Sequence, residues 1–184
     1  MCEKCYVSTP IYYASGKIQI GNSYTTVACD TYARYNRQMG RKTFFLTGMD
    51  EHGQKIEEAA KKANIEPQKF VDNVAEETKA LWKTMHIDYD YFVRTTDKNH
   101  EKVVSDIFER MLKNDDIYLG SYSGNYCVSC ETFFTEKQLG EGGTCPDCGK
   151  PTKIISEESY FLRLKKYEKP LLEFIKNNHI EKQK

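Results

Sequence analysis

The sequence predicts an α/β protein built on a parallel sheet, with a small cysteine-rich β module set into it. Three observations carry the prediction. Residues 5–47 read as strand, glycine-containing loop, amphipathic helix, strand; four cysteines form two Cys-x-x-Cys pairs late in the chain; and residues 117–164 turn rich in Gly, Tyr and Cys with alternating apolar positions.

The first strand is Cys5-Tyr6-Val7-Ser8-Thr9, short, β-branched and aromatic, and Pro10 ends it. Residues 10–19 form the loop that follows. From 21 to 39, Tyr24, Val27, Ala28, Thr31, Tyr35 and Met39 keep helical spacing, and Gly40 stands where a terminator belongs. Thr43-Phe44-Phe45-Leu46-Thr47 is the second strand. This grammar lays two parallel strands side by side with the helix crossing over, and ligands of such sheets bind at the strands' carboxyl ends. Two more helices follow. One covers 67–85, with Pro67 in its first turn and Phe70, Val74, Leu81 and Trp82 inward; the other, about 97–113, buries Val103, Val104, Ile107, Phe108, Met111 and Leu112. Tyr91-Phe92-Val93-Arg94 between them is a third strand. The expected organisation is a sheet-forming part at 1–116, an inserted β module at 117–164, and a helix and tail at 165–184.

Lys and Arg total 27, as do Asp and Glu, which argues against a broad, sequence-independent grip on nucleic acid. Thirteen Tyr and nine Phe within a 39% hydrophobic composition exclude a disordered chain. No apolar run approaches the roughly 20 residues that span a bilayer, and Met1-Cys2-Glu3-Lys4-Cys5 lacks a signal peptide's apolar region, so the expected compartment is the cytosol, with no membrane partner.

Seven cysteines are an odd number, and in a reducing compartment Cys127-x-x-Cys130 and Cys145-x-x-Cys148 read as metal ligands before disulfides. Fourteen residues separate the pairs, with Gly142-Gly143 before the second and Gly149 after it. Each pair makes a tight turn that points two thiolates at one ion, and four soft ligands suit tetrahedral Zn²⁺ with no open catalytic position. Iron is the competing metal, and a reduced, metal-free module is the remaining alternative. Cys2-x-x-Cys5 is not read as a second site, because Cys5 begins a strand; Cys29 is read as a core residue on its helix.

The loop before the first helix holds Gly16 and Gly21, and a helix N-terminus beside glycine favours phosphate. A simple tight connection fits the same pattern. Several blocks, taken together, decide between them. Ser8-Thr9-Pro10-Ile11-Tyr12-Tyr13, Gln19-Ile20-Gly21-Asn22, the run from Leu46 through Asp50 and His52 to Ile56, Asp116-Ile117-Tyr118-Leu119-Gly120 and Ser159-Tyr160-Phe161 resemble, in order, the opening blocks of methionyl-tRNA synthetases. The resemblance covers nearly the whole chain and implies half of a class I nucleotide-binding (Rossmann-like) parallel sheet with an inserted zinc-knuckle β module. It also implies that the Ile11 backbone and the Asp50 carboxylate hold the amino group of methionine, that Tyr13 packs against its thioether, and that Gln19, Gly21 and Asn22 face ATP, with Mg²⁺ where the site is active. A soft thioether suits an aromatic wall. Tyr13 as a plain core aromatic is the alternative, and His52 is read as a loop staple without a catalytic role.

The chain departs from the family at the signature His-Ile-Gly-His, where Gln19 and Asn22 replace the imidazoles that contact ATP phosphates as the methionine carboxylate attacks the α-phosphorus. An asparagine amide still donates a hydrogen bond; a glutamine carries no positive charge. Met49 stands where a small polar residue is usual, and the 184 residues contain no Lys-Met-Ser-Lys-Ser loop. The expectation is a truncated or split methionine–tRNA ligase, contacting tRNA only weakly by itself. The rival is a catalytically inactive synthetase-like protein that binds tRNA, methionine or a protein partner. The strand at 5–9 is expected to form an open sheet edge exposing Tyr6 and Val7, which would pair with a second copy, a complementary fragment, or the segment 171–175 folded back.

Overall fold

The computed structural model describes residues 4–177 and forms two compact units, one up to Lys102 and one from Val103. In the first unit the elements run β1 (Lys4–Ser8), β2 (Tyr12–Tyr13), α1 (Ile20–Gln38), β3 (Lys42–Asp50), α2 (Gln54–Ala63), α3 (Pro67–Thr84) and β4 (Tyr91–Arg94). Helix α4 (Lys98–Lys113) spans the division. All three predicted strands of the parallel sheet are present. β3 holds it together, pairing in parallel with β1 along Lys42–Leu46, with β2 at Met49 and Asp50, and with β4 from Leu46 to Met49. Among the described residues β1 pairs with β3 alone, so its outer edge is open.

Alternation decides which face of the sheet each strand residue meets. Val7 and its register partner Phe45 lie under α1 and close a small core with Ala33 and Cys29. Tyr6 and Phe44 point the other way, stack with centroids 6.2 Å apart, and remain 63% and 45% exposed. The expectation that Val7 would be bare is therefore corrected: only Tyr6 of the pair is exposed.

Helix α1 presents an unusual face to the protein. Its buried residues are Thr26, Asp30, Ala33 and Asn36, while Ile20 (89%), Tyr24 (78%), Val27, Tyr35 and Met39 are exposed. The apolar spacing read from sequence marks a helix correctly but not its inward side. Burying polar groups is tolerable only when they are bonded, and these are. Asp30 accepts from Arg34 Nε at 2.7 Å and from the Asp88 N–H at 2.8 Å, and Asn36 takes a bond from Arg41 while donating to the Tyr32 carbonyl. Gly40, at φ +75°, ends the helix as predicted: its N–H bonds the Arg37 carbonyl and that of Arg41 bonds Asn36, a Schellman closure.

Helix α3 follows its prediction. The Glu66 side chain caps it by accepting from the Lys69 N–H at 2.9 Å, Pro67 occupies the first turn, and Val74 and Trp82 are buried with Phe70 and Leu81 packed against them. Helix α2 and the two-residue β2 were not read from the sequence. α2 is largely charged and buries only Ile56 and Ala60.

The second unit contains β5 (Ile117–Cys127), β6 (Thr132–Phe134), β7 (Lys153–Leu162) and α5 (Lys165–Asn177), the three strands forming an antiparallel sheet in the order β6-β5-β7. Lys166 ties α5 to the start of β5 through Asp116 at 2.5 Å. The expected burial of α4 is overturned. None of its residues is buried, since this narrow ribbon supplies little cover beyond Tyr160, against which Phe108 packs edge-on at 5.0 Å. Leu171, Leu172, Phe174 and Ile175 of α5 are themselves exposed. No helix among the described residues is long and apolar enough to cross a membrane.

Gly48 lies where β3 and β4 approach most closely. A Cβ there would collide with the Val93 carbonyl oxygen and stand 2.5 Å from Val93 Cγ1. Overpacking of this kind costs about 1 to 3 kcal/mol. Gly48→Ala should therefore lower the unfolding free energy by that amount, measured by urea titration followed by circular dichroism, whereas Gly16→Ala, with open space around it, should leave it nearly unchanged.

Candidate functional site

At the carboxyl end of the sheet, β3 brings together two of the three residues predicted for methionine, Tyr13 and Asp50. Tyr13 and Asp50 are register partners in the β2–β3 pair, and the Ala14 N–H donates to the Asp50 carbonyl at 2.8 Å. Ile11 precedes β2 and is exposed; Tyr13 is half-buried, with the Lys55 ammonium 5.6 Å from its ring centroid. Met49 is wholly buried in the core beside Ile56, Val71 and Trp82, so its side chain fills the hydrophobic layer.

The second cluster is the first turn of α1. Gln19 is the N-cap residue, in extended conformation, and its N–H donates to Asn22 Oδ1 at 3.1 Å. That bond fixes the amide orientation of Asn22 and leaves its NH₂ group as the outward donor. A Cβ on Gly21 would meet nothing within 4 Å, so the protein's own packing does not require glycine there and the backbone is open to approach. The free N–H groups and dipole of a helix start give this turn a partial positive charge.

Tyr12 links the two clusters. Its side chain is 5% exposed, and its hydroxyl lies 3.1 Å from the Asn22 carbonyl and 2.7 Å from Thr26 Oγ1. Sequence reading placed Tyr12 in the loop at 10–19 and gave no signal for this role. It also missed the support beneath Asp50. Glu51, 4% exposed, accepts from Arg94 Nε at 2.7 Å and from the Thr96 hydroxyl at 2.5 Å, while its N–H donates to Thr95 Oγ1 at 2.9 Å. Arg94 also bonds Asp72 at 2.7 Å and holds that carboxyl below its usual range, with help from the Gln68 amide. His52 Nε2 meets the Thr95 carbonyl at 3.2 Å, a loop staple. The sequence signal for this network was an acidic residue flanked by Asp50 and His52, with an arginine at the end of a strand.

In the second unit, the four predicted cysteines converge. Their Sγ atoms all lie within 4.8 Å of one another, with Cys127 and Cys148 at 3.6 Å and Cys130 and Cys145 at 3.8 Å. A tetrahedral site with bonds of about 2.3 Å has edges of about 3.8 Å, so the donor set could hold zinc. Backbone geometry builds the knuckle: Glu131 and Gly149 take positive φ after each pair, and the Gly149 N–H closes on the Cys145 carbonyl at 2.9 Å. The Lys150 N–H lowers the Cys148 thiol to about 7, whereas hydrogen bonding to Cys148, with burial, pushes Cys130 up to about 12.

The architecture is thus α/β, with a parallel sheet, a helix start at its carboxyl end, and four converging cysteines in a separate antiparallel module. A family model described as tRNA synthetases class I (M) matches residues 5–154, so the chain belongs to the methionyl class I tRNA synthetase family. Methionine–tRNA ligase of Streptococcus pyogenes is 56% identical over 96% of the chain, and that of Oceanobacillus iheyensis is 54% identical over 94%. The chain spans 28% and 27% of their respective lengths. The structure of Mycobacterium tuberculosis methionyl-tRNA synthetase in complex with methionyl-adenylate superposes with a TM-score of 0.86 at 34% identity, covering 96% of this chain and 35% of that one.

Removing one partner of a buried ion pair costs about 3 to 5 kcal/mol, because the other charge is left uncompensated. Arg94→Ala should lose stability in that range by denaturant titration. Glu76→Ala, which removes an exposed i,i+3 pair with Lys79, should lose less than about 1 kcal/mol.

Proposed function

We propose that this chain carries the methionine-binding and phosphate-facing part of a methionine–tRNA ligase, and that ATP-dependent activation and tRNA charging belong to the complete enzyme. The observation that carries the reading is the register pairing of Tyr13 with Asp50 at the carboxyl end of β3, in a chain 56% identical to such a ligase. Asp50 is assigned to the ammonium group of methionine, with the Ile11 backbone as a second acceptor. A carboxylate suits an ammonium, and such charge-assisted hydrogen bonds are about twice as strong as neutral ones. Tyr13 is assigned to the thioether, its ring steadied by Lys55. Gly21 and the outward amide of Asn22 are assigned to the phosphates of ATP, which enters as a substrate with Mg²⁺ when the enzyme is complete. tRNA contact by this chain alone is expected to be weak, because its charges balance.

Gln19 favours a second reading, an inactive synthetase-like protein that retains methionine or partner binding. A neutral amide cannot place positive charge beside the developing charge on phosphorus, and loss of one such stabiliser costs about 10² to 10³ in rate. Exposed Tyr6 and Phe44, with the open edge of β1, suit a second copy or a complementary fragment as the bound partner.

Cys127, Cys130, Cys145 and Cys148 are assigned to one structural Zn²⁺, whose contribution is to fix the β5–β6 turn and the loop before β7. A cytosolic setting would keep these thiols reduced and available.

Three results are expected. In calorimetry the 184-residue chain should bind methionine weakly, in the millimolar range, with Asp50→Ala abolishing the heat, and it should show no methionine-dependent ATP–pyrophosphate exchange. An absence of heat in the wild type would remove the methionine assignment. Strong exchange would contradict the view that these residues alone do not complete activation. For the metal, the ligands must be deprotonated, so affinity falls as pH falls. With Cys148 near 7 and Cys130 near 12 in the free protein, binding should release protons and affinity should rise from pH 6 to 8, measured by competition with a chromophoric chelator.

A further inference from the structure

The loop from Ala14 to Gln19 separates the strand that carries Tyr13 from the helix turn that carries Gly21 and Asn22, and Ser15 and Lys17 in it are exposed. Ala14 and Ile18 pack on the core at its ends, but its exposed middle does not by itself fix one cluster relative to the other. Tyr12 spans the gap. Its backbone pairs with Met49 in the β2–β3 ladder, and its ring packs at an angle of 63° against wholly buried Trp82 with centroids 6.2 Å apart. Its hydroxyl then reaches the Asn22 carbonyl and Thr26 Oγ1, while Thr26 Oγ1 lies 2.9 Å from the same carbonyl. Two hydroxyl hydrogens serve these three contacts. Either Tyr12 donates to Thr26 and Thr26 to Asn22, or Thr26 donates to Tyr12 and Tyr12 to Asn22; in both arrangements the phenol is bonded to α1 and the Asn22 carbonyl is held.

We infer that Tyr12 is a positioning residue that sets the distance between the amino-acid end of the site and its phosphate end, through the Tyr12–Thr26–Asn22 hydrogen-bond cluster. The inference rests on the assignment of Asp50 and Tyr13 to methionine and of Gly21 and Asn22 to phosphate. Attack of a carboxylate on phosphorus requires the reacting atoms within about 3 to 3.5 Å, and a misplacement of 1 Å can cost about 10²-fold. A phenol locked at its ring by Trp82 and at its hydroxyl by α1 is a rigid spacer of fixed length. Asn22 is held on two sides, its carbonyl by this cluster and its Oδ1 by the Gln19 N–H, so its outward NH₂ group has one direction in which to donate.

Tyr12→Phe keeps the ring and deletes the hydroxyl; Thr26→Val deletes the other hydroxyl. Both variants and their combination would be compared with the wild-type chain by titration with methionine and with a non-hydrolysable methionyl-adenylate analogue bearing a sulfamoyl linker. Amide hydrogen exchange at residues 22–26 would be measured alongside. Each single variant is expected to leave methionine affinity within twofold, to weaken the analogue at least tenfold, and to speed exchange at Thr26 at least tenfold. The double variant should be no worse than either single one, since the two hydroxyls act as one unit. Equal weakening of both ligands together with a lowered melting temperature would reduce Tyr12 to a core residue and overturn the inference, as would unchanged analogue affinity or a wild-type analogue that gains nothing over methionine. If the wild type bound no methionine, the site assignment itself would fall. The exchange rates would then judge the hydroxyl cluster alone: unchanged rates would overturn the tie, and faster rates would uphold it.

Discussion

The structure of the first unit depends on the hydrogen-bonding of β3. Strands β1, β2 and β4 all pair with it in parallel, so the links from β2 to β3 and from β3 to β4 must cross over, and the carboxyl ends of β2, β3 and β4 gather near Asp50. Parallel ladders tolerate little side-chain bulk where strands converge, and Gly48 meets that constraint beside Val93. Just beyond, the chain must leave the sheet while keeping Asp50 in place. Glu51 does this by turning inward, an acidic side chain that Arg94 and Thr96 answer while the Thr95 hydroxyl accepts from its backbone N–H. The candidate methionine site is therefore built from the rigid end of a strand, with a buried ionic lock one residue behind it.

Much of this was legible in the sequence where local chemistry is decisive. Pro10, Gly40 and Pro67 punctuate elements as backbone geometry requires, and the spacing of Cys127, Cys130, Cys145 and Cys148 specified a convergence that the fold delivers. Less legible was anything that tertiary contact decides. Strand β2 is two residues long, too short for a period, and α2 buries only two of its ten residues. The inward face of α1 was hidden because three of its four buried side chains are polar, and the bonds that make their burial tolerable include ones to residues distant in sequence, Asp88 for Asp30 and Tyr12 for Thr26. Helix α4 misled for the opposite reason. Its apolar stripe is a true helical signal, yet Val103, Val104 and Ile107 remain exposed.

The exposed apolar residues of α1 and its largely polar inward face share one cause. A helix whose buried face is a bonded polar network is positioned by direction-specific contacts, and such contacts hold its first turn in register with the sheet more closely than apolar packing would. Ile20 and Tyr24 are thereby left at the surface beside the phosphate-facing turn. The zinc-type knuckle is organised differently. Its strands bury little, and Cys127, Cys145 and Phe134 form its whole buried cluster among the described residues, so four thiolates around one ion would supply the order that a larger core supplies elsewhere.

Methionine binding by the strand-end cluster of Ile11, Tyr13 and Asp50 is the proposal on which the assigned roles rest. It is tested most directly by nuclear Overhauser contacts between the 184-residue chain and methionine carrying a ¹³C-labelled terminal methyl group. The claim predicts contacts from that methyl to the Tyr13 ring, lost together with binding in Asp50→Ala. Contacts from the bound methyl to residues elsewhere, with none to Tyr13, would contradict it.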